Sequence, residues 1–145
     1  MAPHPQRLTV TRRSWPLARP IATAQGVRTT ADVVVADISD GDSRGRGEGV
    51  PLARFGESIE SVAATLDGMK GAVLAGLNRD ILQTTLPPGA ARAALDSAFW
   101  DIEAKRAYQS VGDLSGLGEI RPVVTAYTIG LDTPQAMAEM AAANR

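Results

Sequence analysis

The chain has 145 residues, of which 44% are hydrophobic and 21% charged, and its mean hydropathy is −0.06, as expected for a globular protein with a buried core. Fifteen Lys and Arg against sixteen Asp and Glu give a formal net charge of −1, which argues against nucleic acid or an anionic membrane as a partner. The absence of cysteine excludes disulfides, thiolate zinc sites and a cysteine nucleophile.

Residues 1–6 predict a loose tail that lacks the apolar core of a signal peptide. No apolar stretch approaches the roughly 20 residues that a membrane-spanning helix needs. His4, the only histidine, lies in this tail without a second ligand nearby, so we expect no metal role for it. We therefore expect a cytoplasmic protein with no membrane partner.

The first fifty residues predict an antiparallel meander of three strands. Leu8 and Val10 begin the first strand, which we expect Pro16 and Pro20 to end. The small, polar residues 21–30 predict a long loop between strands. The meander continues with a second strand over 31–39, a turn over 40–45 and a short third strand over 46–50.

Glycines recur at every second position from Gly45 to Gly49. This run has no Lys-Ser/Thr ending and is not followed directly by a helix, so it does not fit a phosphate-binding P-loop. We interpret these glycines as strand positions that let another backbone approach closely.

The hydrophobic period becomes helical from Ser58, a predicted N-cap, and we expect Gly71 to stop this first helix. Asn78 predicts the cap of a short second helix that ends before Pro87. The strongest helix runs over 90–108. Its apolar stripe contains Ala91, Ala94, Leu95, Ala98, Phe99 and Ile102.

Other side chains of this helix have structural interpretations. Asp96, Asp101 and Glu103 do not share one helix face, so they do not predict a carboxylate site. Asp101 is spaced for a salt bridge to Lys105. We expect Trp15 and Trp100 to anchor the core.

A glycine-rich connector over 111–118 precedes a buried-strand pattern at 123–130. Thr133 and Pro134 then predict the N-cap and first position of another helix. This βα unit is typical of the start of a larger parallel structure. We therefore predict an α+β domain over residues 1–118 and the start of a second domain over 119–145.

This order of elements resembles the enolase superfamily, within it the muconate-lactonizing subgroup, and most closely the dipeptide epimerases that act on L-Ala-D/L-Glu. The resemblance covers the chain from Leu8 onwards and implies an N-terminal capping domain followed by the first strand and helix of a (β/α) barrel. It is carried by Trp15–Leu17, Gly26–Arg28, Gly47–Gly49, Arg54–Ser58, residues 90–105, Thr125–Thr128 and Thr133–Pro134.

The chemistry implied by the resemblance is proton transfer next to a carboxylate. In such enzymes a bound Mg²⁺ stabilises the enediolate, and a lysine on each face of the α-carbon removes or returns the proton. The resemblance places these lysines and the metal ligands on later barrel strands, beyond Arg145. We therefore expect no catalytic or metal-binding residue within this chain, and we expect the chain alone to be inactive.

The resemblance also implies four substrate-binding residues. Arg28, on the first capping loop, would bind the side-chain carboxylate of the substrate's glutamate, which suits a planar guanidinium. Thr128, at the end of the first barrel strand, would hold the dipeptide through its hydroxyl. Arg54 and Phe55 would lie on a second loop that closes over the site.

Three alternatives remain open at this stage. In the first, the full-length enzyme catalyses another reaction of the same subgroup, such as muconate cycloisomerisation or o-succinylbenzoate synthesis. In the second, the chain is a non-catalytic truncated module. In the third, it is an incomplete gene product without a function of its own. For the epimerase we expect an acidic dipeptide as substrate and a possible homo-oligomer in full-length form.

Overall fold

The computed structural model describes residues 5–24 and 26–144. The chain divides into two compact units. The first unit consists of Met1–Ser14 and Asp32–Ile120, and the second of Trp15–Ala31 and Arg121–Arg145. The domain boundary between residues 118 and 119 stays a prediction, and His4 lies outside the described residues.

Three strands form one sheet in the order β1-β2-β3. β1 spans Arg7–Thr23, β2 spans Gly26–Ser39 and β3 spans Arg44–Gly49. β2 and β3 pair antiparallel. The predicted three-stranded antiparallel meander is therefore confirmed.

The first two strands are longer than the sequence predicts. β1 continues through Pro16 and Pro20, and β2 begins at Gly26, so the loop expected over 21–30 is wrong. Proline has no N–H to donate to a neighbouring strand, but β1 lies at an edge of the sheet, where one side of the strand has no hydrogen-bonded neighbour. A proline whose nitrogen faces that side costs no hydrogen bond, so the strand need not end there.

Six α-helices lie in the described part of the chain, and a 3-10 turn precedes them at Ala53–Phe55. None of these helices is long and apolar enough to cross a membrane. The helices are α1 Ile59–Gly68, α2 Lys70–Leu74, α3 Arg79–Thr85, α4 Ala90–Arg106, α5 Val111–Leu114 and α6 Pro134–Ala143.

Two predicted caps are confirmed, whereas one predicted stop is wrong. The Ser58 hydroxyl accepts a hydrogen bond from the Ser61 N–H at 3.1 Å, and the Asn78 side chain accepts one from Ile81 at 2.9 Å. Gly71 does not end a helix but lies inside α2, because glycine costs only about 1 kcal/mol in a helix. The turn after α2 instead uses Gly76, whose φ of 97° favours glycine.

The core of the first unit lies between one face of the sheet and the helices. The predicted stripe of α4 is buried, and the helix lies directly on β3. A Cβ on Gly47 would stand 1.9 Å from the Ala94 carbonyl oxygen, and one on Gly49 would stand 2.3 Å from that of Ala90. These contacts confirm that the strand glycines let another backbone approach.

The two tryptophans differ from expectation. Trp15 is 49% exposed, and no fully buried apolar side chain lies among the described residues of its unit, so its assignment as a core anchor is wrong. Trp100 is half-buried, and the Arg79 guanidinium lies 3.5 Å above its ring. The predicted ion pair between Asp101 and Lys105 is confirmed at 2.7 Å.

The predicted strand at 123–130 is not formed, whereas the helix after it is confirmed. A strand needs a hydrogen-bonded neighbour, and none of the described strands pairs with this segment. Thr133 caps α6 by accepting a hydrogen bond from the Ala136 N–H at 3.3 Å, with Pro134 at the first helical position. The connector at 111–118 contains the short helix α5.

Candidate functional site

A cleft of about 510 Å³ lies within the second unit. This volume falls in the range of pockets that bind small molecules. One wall is the later part of β1, and the other is the segment before α6 together with Met140 of α6. The lining residues are Leu17–Ala22, Tyr127, Thr128, Gly130–Asp132 and Met140.

Backbone contacts hold the two walls together. The Leu131 N–H donates a hydrogen bond to the Ala22 carbonyl oxygen at 2.8 Å. A Cβ on Gly130 would make an ordinary van der Waals contact, 3.6 Å from the Ala22 nitrogen. Asp132 accepts a hydrogen bond from the Thr133 N–H at 2.7 Å, which fixes the turn into α6. The segment carrying Thr128 is therefore held beside β1 by main-chain geometry.

The lining combines charge, hydroxyl and apolar groups. The Arg19 guanidinium lies 5.3 Å from the centroid of the Tyr127 ring, a cation–π contact. Thr128 adds a hydroxyl, and Leu17 and Met140 add apolar surface. A guanidinium beside a hydroxyl and an apolar wall suits a small ligand that carries a carboxylate and a short apolar group.

Only one of the predicted residues of this unit lines the cleft. Thr128 is a lining residue, whereas Arg28 is exposed on β2 and is not among the described lining residues. Arg19 was not predicted. In the sequence, Arg19 directly precedes Pro20, in a segment that we expected to end a strand. No local pattern there indicated a contact with Tyr127.

Arg54 and Phe55 lie in the first unit, on the 3-10 turn Ala53–Phe55. The Arg54 guanidinium stands 4.8 Å from the centroid of the Phe55 ring, and Phe55 is 68% exposed. Gly56 follows with a φ of 73°, which lets the chain reverse after the pair. The two predicted residues therefore form one exposed cation–aromatic pair.

The described residues do not offer a metal site. Among them there is no group of three or more His, Cys, Asp or Glu side chains placed to hold a cation. Magnesium prefers several oxygen ligands in octahedral geometry.

Comparison with known families places this architecture. Residues 6–116 match the family model described as mandelate racemase/muconate lactonizing enzyme, N-terminal domain. The L-Ala-D/L-Glu epimerase of Escherichia coli K12 is 42% identical over 132 residues, which are 91% of this chain and 41% of that enzyme.

Solved structures show the same relationship. A crystal structure of an enolase family member from Agrobacterium tumefaciens, with homology to dipeptide epimerases and with bound sodium and L-Ala-L-Glu, is 44% identical with a TM-score of 0.90. The match covers 97% of this chain and 43% of that one. A dipeptide epimerase from Enterococcus faecalis V583, complexed with Mg and L-Leu-L-Tyr, is 27% identical with a TM-score of 0.79 over 93% of this chain and 40% of that one.

The chain thus spans about two fifths of the length of these relatives. The family match covers most of this chain, including the sheet and the helices α1 to α5. The chain therefore belongs to the mandelate racemase/muconate lactonizing enzyme family of the enolase superfamily, of which residues 6–116 form the N-terminal domain.

Proposed function

We propose that this chain is the N-terminal, substrate-selecting part of a Mg²⁺-dependent dipeptide epimerase that acts on L-Ala-D/L-Glu-type substrates. The observation that carries the proposal is the similarity to the Agrobacterium protein, whose structure holds L-Ala-L-Glu. The 42% identity to the Escherichia coli epimerase supports the same substrate class.

The part of this chain in the reaction is recognition. Inverting an α-carbon requires that its proton leave one face and return to the other, so the substrate must be held still while the centre becomes planar. The Thr128 hydroxyl supplies a hydrogen bond for that purpose, and the exposed pair of Arg54 and Phe55 belongs to the loop that excludes water. The resemblance places the proton-transferring lysines on later barrel strands, so we expect the 145-residue chain alone to be inactive.

Two arginines are candidates for the glutamate side chain of the substrate. Arg28 holds the position that the family resemblance indicates, and Arg19 holds a position in the cleft beside Thr128. The Enterococcus structure holds a dipeptide with an uncharged second residue. Selection of a dipeptide with an acidic second residue therefore depends on a cationic side chain that other family members need not share.

A chimera tests the proposal. This chain replaces the matching N-terminal part of the Escherichia coli epimerase, and the product is incubated with L-Ala-L-Glu and Mg²⁺ in D₂O. We expect the glutamate α-proton signal to disappear from the proton NMR spectrum as deuterium replaces that proton, because epimerisation passes it to a base that exchanges with solvent. The 145-residue chain alone, with the same Mg²⁺, should give no exchange.

The assay also addresses the alternatives. A folded chimera that exchanges L-Leu-L-Tyr but not L-Ala-L-Glu would contradict the acidic specificity. A chimera that exchanges neither dipeptide but converts a muconate would support cycloisomerisation instead.

A further inference from the structure

Glu57 joins two backbone segments of the first unit through its two carboxylate oxygens. Oε2 accepts a hydrogen bond from the Leu52 N–H at 3.1 Å, and Oε1 accepts one from the Ala90 N–H at 2.7 Å. Leu52 lies just before the turn that carries Arg54, and Ala90 is the first residue of α4. One half-buried side chain thus ties this turn to a helix far along the sequence.

The contact to Ala90 is that of a helix cap. The first N–H groups of a helix have no partner within the helix, and the residue before α4 is Gly89, which has no side chain to offer. A carboxylate at this end is also favoured by the helix dipole. Glu57 therefore satisfies a buried donor that the local sequence leaves unpaired.

Gly89 is shaped to admit this carboxylate. A Cβ at Gly89 would stand 2.6 Å from Oε1 of Glu57, the nearest atom to that position. The backbone there has a φ of 160°, close to extended, so the glycine is not needed for conformation. The glycine therefore leaves room for the Glu57 oxygen.

Main-chain hydrogen bonds and the Glu57 carboxylate together close the turn. The Phe55 N–H donates to the Leu52 carbonyl oxygen at 2.9 Å, and the Glu57 N–H donates to the same oxygen at 3.4 Å. Leu52 is therefore bound to Glu57 through both its carbonyl oxygen and, by way of the carboxylate, its N–H. Residues 52–57 therefore form a hydrogen-bonded turn that is joined to α4 through the Glu57 carboxylate.

We propose that Glu57 is a positioning residue that fixes the turn carrying Arg54 and Phe55 on the N-terminus of α4. It acts through the backbone N–H groups of Leu52 and Ala90. The inference rests on the proposed function for its consequence in catalysis, but its structural part stands on this chain alone.

Amide hydrogen exchange by NMR tests the structural part on the 145-residue chain, at a concentration where light scattering shows a monomer. Rates at Leu52 and Ala90 are compared with those at the buried α4 residues Leu95 and Ile102, which report global unfolding. In Glu57→Ala we expect exchange at Leu52 and Ala90 to rise about tenfold or more relative to the α4 amides. Unchanged relative exchange at both amides would overturn the proposal.

Two further variants keep the test decisive if Glu57→Ala does not fold. Glu57→Gln retains one acceptor oxygen, so at least one of the two amides should lose its protection. Gly89→Ala leaves Glu57 intact but displaces its Oε1, so exchange at Ala90 should rise. The control is Glu60→Gln, which neutralises an exposed carboxylate in the first turn of α1 and should leave both amides protected.

The catalytic consequence is tested in the active chimera. Glu57→Ala should raise KM for L-Ala-L-Glu at least about fivefold while kcat changes less, because a loosened turn weakens closure over the substrate. An unchanged KM with faster exchange at Leu52 would overturn the positioning role and leave the epimerase assignment standing. An inactive chimera with the expected exchange pattern would instead count against the proposed function alone.

Discussion

Asp37 is a buried carboxylate between two arginines of the neighbouring strand. Its oxygens lie 3.0 Å from Nη2 of Arg44 and 2.9 Å from Nε of Arg46. Burial by itself would raise the pKa of Asp37, but the hydrogen bonds and charges of Arg46 and Arg44 outweigh burial and hold the pKa below its ordinary 3.8. A folded-state pKa below the unfolded value means that ionised Asp37 stabilises the fold.

The sign of the pH dependence follows from this shift. The contribution of Asp37 is fully present above pH 3.8 and is lost as pH falls through the lower folded-state pKa. Asp37→Asn should cost about 1–2 kcal/mol at pH 7, because the arginine ends are exposed and screened by solvent. Urea unfolding at pH 7 and pH 3 should show a smaller cost at the lower pH. Asp42→Asn, at an exposed site in the turn after β2, should change stability little at either pH.

The two candidate arginines make separable predictions in the chimera. If Arg28 binds the glutamate side chain, Arg28→Ala should raise KM for L-Ala-L-Glu by about tenfold or more and leave the KM for neutral dipeptides nearly unchanged. If Arg19 in the cleft binds the glutamate side chain, Arg19→Ala should instead raise the KM for L-Ala-L-Glu. Steady-state kinetics on both dipeptides distinguish the two. An equal effect of both substitutions on acidic and neutral substrates would contradict selection by charge.

At the residue scale, the family resemblance implied Thr128 as a substrate contact. Thr128 lines the cleft, and its contact with a substrate stays a prediction. Arg19 was missed because its partner, Tyr127, is distant in sequence, and the contact exists only once β1 passes Pro20. A cation–π contact between remote segments leaves no periodic signal.

At the scale of elements, the packing of α4 on β3 depends on glycine. A Cβ on Gly47 would lie 1.9 Å from the Ala94 carbonyl oxygen and 2.6 Å from the Ala98 nitrogen, and both are backbone atoms that cannot rotate away. Gly47→Ala should therefore destabilise the fold by about 2–4 kcal/mol, measured by urea unfolding. Gly68→Ala adds the same methyl group in α1, where nothing lies within 4 Å, and should be neutral or stabilise by up to about 1 kcal/mol. Equal costs at the two sites would contradict the close packing of α4.

Elements with a strong period were predictable, and those that depend on neighbours were not. The buried stripe of α4 follows from spacing alone, because a helix satisfies its own backbone. β1 passes two prolines because of its place at the sheet edge, which the sequence does not encode locally. Residues 123–130 have the pattern of a strand, but none of the described strands forms a ladder with them, so they do not become a strand.

For the whole molecule, the segment before α6 exposes apolar side chains that a stable monomer usually covers. Val123 is 84% exposed and Val124 fully so, and Leu131 is 60% exposed. Contiguous exposed valines in an extended segment are a template for strand pairing with another chain. We therefore predict that the 145-residue chain, purified alone, self-associates in a concentration-dependent manner.

Light scattering coupled to size-exclusion chromatography measures this association. Val124→Lys should shift the chain towards monomer, because a charged side chain at this position disfavours strand pairing with another chain. Leu74→Lys makes the same change of charge at a half-exposed apolar residue at the end of α2, and it should have a smaller effect. If the two lysines restore the monomer equally, net charge rather than the 123–131 segment governs association. A chain that stays monomeric at every concentration without substitution would show that this segment does not drive pairing, and would favour a stand-alone module over a fragment of an epimerase.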